Sequence, residues 1–199
     1  LIQQLLPPED LASANGLLMQ AIFRMGVPVT GKNVFPSNIQ GLPTWYEIRV
    51  SRHGYTARTP TFDLMVALNP ATYQKDVAEV SSGGWLIYDS TWPLDSRLTR
   101  PDVTYLGIPL SEMCNGRFAG ARERILMKNI AYVGALAGLL NIDSGVLSVL
   151  LNEKYAKKAS LLDSNQAALA LGRDYVEKHF ACPLPIRLAP MDETKDAIL

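Results

Sequence analysis

The spacing of hydrophobic positions changes along the chain, and each change predicts a different element. In SANGLLMQAIFRMG, residues 13–26, Leu18, Ile22 and Met25 recur at helical spacing, with Ser13 as N-cap and Gly26 as the C′ stop. Upstream, LIQQLLPPEDL predicts a short strand over Leu1–Leu6, broken by Pro7 and Pro8. TWYEIRVS alternates Trp45, Glu47 and Arg49 against Tyr46, Ile48 and Val50, a strand with two unlike faces. A turn at His53-Gly54 follows. FDLMVALN is then a nearly continuous apolar run, as expected of a strand buried on both faces. Asn69-Pro70 closes it, and PATYQKDVAEV opens a helix with Pro in its first turn. GGWLIYDS and VTYLGIPL read as two more buried strands.

Strands alternating with helices indicate a parallel sheet with crossover helices. Beyond residue 120 the pattern becomes helical throughout. The fold class predicted is therefore α/β, doubly wound, with a mostly parallel sheet and a helical C-terminal portion. In GARERILMKNIAYVGALAGLLNI the expected inward positions are Ile125, Ile130, Val133, Ala137 and Leu140. Ala131, Gly134, Ala135 and Gly138 add a stripe of small residues. Each helical glycine costs about 1 kcal/mol relative to Ala. Something must pack very close there, either a helix of the same domain or one across an interface. Asp143 or Ser144 caps the next helix, and Asp163 or Ser164 the last. The tail from Ala181 has three prolines in its first ten residues and no period. Two regions are expected: an α/β domain over 1–180, and a Pro-rich tail or linker over 181–199 leading toward a following domain.

Composition narrows the function classes. Nineteen basic residues balance nineteen acidic ones, so no global field favours nucleic acid or an anionic membrane. No apolar run reaches the roughly eighteen residues of a membrane span. The first residues lack a basic n-region and cleavage site, so a cytoplasmic chain is expected. Cys114 and Cys182 are far apart, without a CxxC, and no histidine sits at metal spacing from either. No metal site, zinc or iron–sulfur, is expected from this chain alone.

Candidate chemistry is sparse. There is no G-x-S-x-G and no evident triad, and no catalytic residue is assigned. Cys114 in SEMCNG reads first as a small buried hydrophobe. Phosphate binding at a first strand–helix turn needs glycines whose amides converge. PPEDLASAN instead offers prolines and two acids. Asp89 and Asn69 end strands, where open α/β sheets bind ligands, but such residues also cap helices and close turns. GKNVFPSNIQGLPTWYEIRV, residues 31–50, is richer. Lys32, Asn33, Ser37, Asn38 and Gln40 present many donors between Phe35, Trp45 and Tyr46, held by Pro36 and Pro43. Partner or ligand contact is favoured there over a plain connection.

These stretches together resemble a known family. GLLMQAIFRMGVPVTGKNVFPSNIQGLPTWYEIRVS, FDLMVALNP, GGWLIYDST, KNIAYVGALAGLL and KKASLLDSNQAALALG are similar, in order and spacing, to the gamma domain of 2-oxoacid:ferredoxin oxidoreductases. The long opening segment looks like the version at the N-terminus of alpha subunits in the 2-oxoglutarate/pyruvate:ferredoxin oxidoreductase family. The resemblance implies a component of an enzyme that converts a 2-oxoacid, with coenzyme A, to acyl-CoA, carbon dioxide and reduced ferredoxin. It implies holoenzyme cofactors (thiamine diphosphate, Mg²⁺ and [4Fe–4S]) held on other domains or subunits, with none bound by this chain alone. The partners implied are those other components, ferredoxin through the holoenzyme, and an oligomer. Lys32, Asn33, Ser37, Asn38, Gln40 and Arg49 would be its partner or coenzyme A-side contacts. One departure stands out: Pro8 and Asp10 fall where the family carries glycines. The alternative is a stand-alone Rossmann-like binding or scaffold module.

Overall fold

The computed structural model describes residues 8–34 and 44–197. The chain divides into two compact units, one comprising Leu1–Leu11 and Val29–Pro109, the other Ala12–Pro28 and Leu110–Leu199.

The first unit holds all the described strands. β1 (Val29–Val34) and β2 (Trp45–Val50) form an antiparallel hairpin, registered Val29 to Val50 and Val34 to Trp45. β3 (Phe62–Ala67), β4 (Val80–Asp89) and β5 (Thr104–Ile108) form a parallel sheet in that order. The parallel sheet and the helical C-terminal part agree with the fold class expected. Phe62, Leu64, Met65, Val66 and Ala67 are all buried, as a strand covered on both faces requires. Between β3 and β4, Asn69 Oδ1 accepts from the Ala71 amide at 3.0 Å and caps a short 3₁₀ turn, Pro70–Thr72. That turn leads into α2 (Tyr73–Ala78). Tyr73 and Val77 pack with Phe62, Met65, Val80, Leu86 and Val103 to form the core of this unit. Arg100 ties the far end of α2 down: Nη1 donates to the carbonyls of Val77 and Val80 at 3.0 and 2.8 Å. Val77 lies in the last turn of α2 and Val80 opens β4, so the guanidinium joins the helix end to the start of the strand.

The second unit is helical. α1 (Pro8–Arg24) enters it, and α3 (Leu110–Arg117), α4 (Ala121–Leu140), α5 (Ser144–Tyr155) and α6 (Ala159–His179) complete it. α4 and α6 are its spine. A Cβ on Gly134 would lie 1.9 Å from the Leu169 carbonyl oxygen, and one on Gly172 would lie 1.7 Å from that of Ala131. The small-residue stripe thus serves a helix pair within the chain. α4 ends at Asn141 in the left-handed conformation (φ 58°), and the Ile142 amide returns to Ala137.

Residues 182–197 run back over the helix ends. The amides of Leu184 and Leu188 donate to the Leu139 and Leu140 carbonyls at 2.7 and 2.8 Å. Those of Met191 and Glu193 donate to Met25 and Gly26, and Thr194 Oγ1 donates to Phe23. The strap therefore satisfies the last carbonyls of both α4 and α1. Gly26 stops α1 at φ +78°, and the strap passes so close that a Cβ there would sit 1.8 Å from the Met191 oxygen.

Several expectations are corrected. Ser13 does not cap α1, which already begins at Pro8; proline suits a first helical turn because it has no amide to satisfy. The predicted strand Leu1–Leu6 lies outside the described residues. Ile125 is 53% exposed rather than inward, whereas Ile130, Val133, Ala137 and Leu140 are buried. α6 starts at Ala159, and Ser164, one turn inside it, donates to Glu123 at 2.8 Å. Asp143 caps α5 as expected, accepting from Gly145 and Val146.

Candidate functional site

The hairpin is where the sequence concentrates its polar groups. Residues facing each other across an antiparallel pair share one face of the ribbon, as do residues two apart. Thr30 faces Arg49, Lys32 faces Glu47, and Val34 faces Trp45. Lys32, Glu47, Arg49 and Trp45 therefore share a face, and Asn33 lies on the opposite one with Tyr46 and Ile48. The structure brings Lys32 and Arg49 together and separates Asn33 from them. Ser37, Asn38 and Gln40 lie outside the described residues.

The shared face rests on buried polar groups. Trp45 Nε1 donates to Asp76 Oδ1 at 3.1 Å, and Thr72 Oγ1 donates to Asp76 Oδ2 at 2.7 Å. Asp76 is 2% exposed. Burial pushes its carboxyl up to about 6, against the pull of the Thr72 and Trp45 hydrogen bonds and of Lys75. The Lys75 ammonium stands 3.4 Å over the Trp45 ring, a cation–π contact. Glu47 Oε1 receives no well-angled hydrogen bond but lies 2.6 Å from Arg58 Nη2. Glu47 is 3% exposed, so that ion pair offsets part of the cost of taking its carboxylate out of water. Arg49 Nε donates to the Tyr55 carbonyl at 3.1 Å, folding the 51–60 loop over the same face.

The ends of the parallel strands serve structure. Asp89 is fully buried and accepts from the Thr91 amide at 3.2 Å, closing the turn after β4. Tyr73 and Tyr88 pack edge to face at 6.4 Å. Burial, then the nearby Asp89, Tyr88 and Asp76, push the Tyr73 hydroxyl far above its usual range. Cys114 is buried. Among the described residues no three His, Cys, Asp or Glu side chains gather to hold a metal ion. None of the described helices is long and apolar enough to cross a membrane.

Sequence reasoning missed Arg52, Arg58, Lys75 and Asp76. The first two sit in an aperiodic loop, and the others look like ordinary solvated positions of a short helix.

Residues 11–175 match the family described as pyruvate ferredoxin/flavodoxin oxidoreductase. The chain belongs to that family. This family member is 24% identical over 212 residues to 2-oxoacid:ferredoxin oxidoreductase 2, subunit alpha, of Aeropyrum pernix, covering 87% of this chain and 33% of that protein. Its fold is similar to that of 2-oxoglutarate:ferredoxin oxidoreductase from Magnetococcus marinus, solved with 2-oxoglutarate, coenzyme A and succinyl-CoA bound. There the TM-score is 0.79 at 24% identity, over 96% of this chain and 33% of that one. The gamma subunit of a keto/oxoacid ferredoxin oxidoreductase from Geobacter sulfurreducens gives a TM-score of 0.69 at 15% identity, over 89% of this chain and 98% of that one. The chain thus spans a third of the length of the Aeropyrum and Magnetococcus proteins.

Proposed function

We propose that this chain is the gamma component of a thiamine diphosphate-dependent 2-oxoacid:ferredoxin oxidoreductase, of the type joined to an alpha subunit. The observation that carries the reading is a pair of coverages. The same fold accounts for 98% of a free-standing gamma subunit and for a third of a longer oxidoreductase chain. In this reading the enzyme decarboxylates a 2-oxoacid oxidatively to acyl-CoA in the cytoplasm. Thiamine diphosphate, Mg²⁺ and [4Fe–4S] clusters reside on partner domains or subunits that pass electrons to ferredoxin. The α/β domain, residues 1–180, assembles with those partners, and residues 181–199 connect toward a following domain. Lys32, Asn33 and Arg49, with Ser37, Asn38 and Gln40, make the contacts on the partner or coenzyme A side.

This chain's own role is to bind and orient, so alone it is catalytically silent. Calorimetry of the purified chain with thiamine diphosphate and Mg²⁺ should give no heat of binding; tight binding would overturn the assignment. In the assembled enzyme, Lys32→Ala, Asn38→Ala, Gln40→Ala and Arg49→Ala should impair assembly or coenzyme A kinetics more than melting temperature. Equal loss of thermal stability in all four would mark them as structural.

A further inference from the structure

The hairpin face gathers more positive charge than its surroundings cancel. Residues 29–60 carry four basic side chains (Lys32, Arg49, Arg52 and Arg58) against a single acid, Glu47, in a chain whose total charge is zero. The strand register sets Lys32 and Arg49 on one face. The Arg58–Glu47 pair and the Arg49–Tyr55 hydrogen bond fold the loop holding Arg52 onto that face, and α2 adds Lys75 above Trp45.

Two carboxylates offset part of this charge from beneath: Glu47, paired with Arg58 at 2.6 Å, and Asp76 under Trp45. Glu47 and Asp76 are 3% and 2% exposed, whereas the side chains of Arg58 and Lys75 are 56% and 47% exposed. Glu79, at 3.9 Å from Lys75, is the one other acid in the cluster's ion pairs among the described residues. Lys32 and Arg52 are exposed and have no ion-pair partner among the described residues. Neighbouring like charges closer than the Debye length of about 8 Å at physiological salt reinforce one another. The buried Trp45 ring among them excludes water and strengthens the field outward.

The arrangement also indicates what shape of anion fits. A site for a single phosphate converges several donors on one point, often with a buried polar group behind it. Here the cations end long flexible side chains spread over two strands, a loop and a helix, which suits an extended row of carboxylates. Tyr55, 64% exposed with its ring 5.6 Å from that of His53, supplies an aromatic contact of the kind enriched at protein interfaces. We propose that the face formed by Lys32, Arg49, Arg58 and Lys75, with Arg52 on the loop beside it, docks an acidic segment of a protein partner. This deepens the gamma-component reading and rests on its premise that the hairpin meets a partner.

The test uses the purified chain and fluorescein-labelled deca-glutamate, read by anisotropy. Wild type should bind the probe, with affinity falling as salt rises from about 20 to about 200 mM. The double variant K32S/R52S should lose about tenfold in affinity, and K154S/K178S, two cations on the helical unit, should bind like wild type. No binding by wild type, or equal loss in both variants, would overturn the proposal. So would tighter binding of tripolyphosphate, which would make the face a small-anion site, or of a twelve-residue oligothymidylate, which would make it a nucleic-acid site. Oxoacid oxidation by the complex tests the gamma-component reading separately. If the complex is active and the chain ignores deca-glutamate, the docking proposal alone falls.

Discussion

Gly172 of α6 lies against the Ala131 carbonyl of α4 so closely that a Cβ would stand 1.7 Å from its oxygen. Backbone meets backbone at this contact, and no side chain can move aside to relieve a substitution. Propensity alone would favour Gly172→Ala by about 1 kcal/mol. Overpacking costs about 1–3 kcal/mol, and more where nothing can yield, so the clash wins. Chemical denaturation of Gly172→Ala should show a net loss of at least about 2 kcal/mol. Gly116→Ala in α3, with nothing within 4 Å of the added carbon, should be neutral or slightly stabilising. Equal effects at the two positions would contradict the close α4–α6 packing.

Asp76 makes a prediction about pH. Its folded-state value near 6 exceeds the ordinary 3.8, so between these values the folded chain holds a proton that the unfolded chain has released. The stability linked to this group is therefore fully present below about pH 4, is lost as pH rises through 6, and is constant above. The gap corresponds to up to about 3 kcal/mol. Asp76→Asn still accepts from Trp45 and can donate to Thr72, yet carries no titrating proton. The stability difference, wild type minus Asp76→Asn, should fall between pH 4 and 6 in urea titrations. A difference independent of pH would place Asp76 in a solvated setting.

Arg58→Ala should cost about 1–3 kcal/mol, because it leaves the Glu47 carboxylate buried without its partner. The double change Arg58→Ala with Glu47→Gln should recover most of that loss. A double-mutant cycle with no coupling would show the 2.6 Å pair to be energetically idle.

The strap gives a fourth expectation. Leu184 is 6% exposed, and the Leu184 amide donates to the end of α4. Leu184→Ala should lower stability by about 2–3 kcal/mol, combining lost apolar burial with a poorly refilled space. Thr194→Val, which removes the hydrogen bond to the Phe23 carbonyl, should cost about 1 kcal/mol. Melting curves unchanged by both substitutions would mean that the strap contributes nothing to the fold.

The parallel strands were legible because each carries a short apolar run, as in Leu64–Ala67, bounded by turn residues. Strand β1 was not. Thr30, Gly31, Lys32 and Asn33 carry no apolar alternation, and their extended form comes from pairing with β2. The glycines of α4 announced a close approach, but only the tertiary fold identifies Leu169 and Val176 as what they approach. The same holds for the candidate site. Lys32 and Arg49 stood out as polar groups beside aromatics. Arg52, Arg58 and Lys75 did not, because their convergence depends on β2 register, a loop fold and the placement of α2.

We propose that this chain works only as a component of an oxoacid oxidoreductase. The most direct test is capture of the native complex through a tag on this chain, followed by an assay of oxoacid- and coenzyme A-dependent reduction of an artificial one-electron acceptor. The account predicts reduction with 2-oxoglutarate or pyruvate by the captured complex and none by the chain alone. Activity in the isolated chain, or a captured complex inert toward every 2-oxoacid supplied, would contradict it.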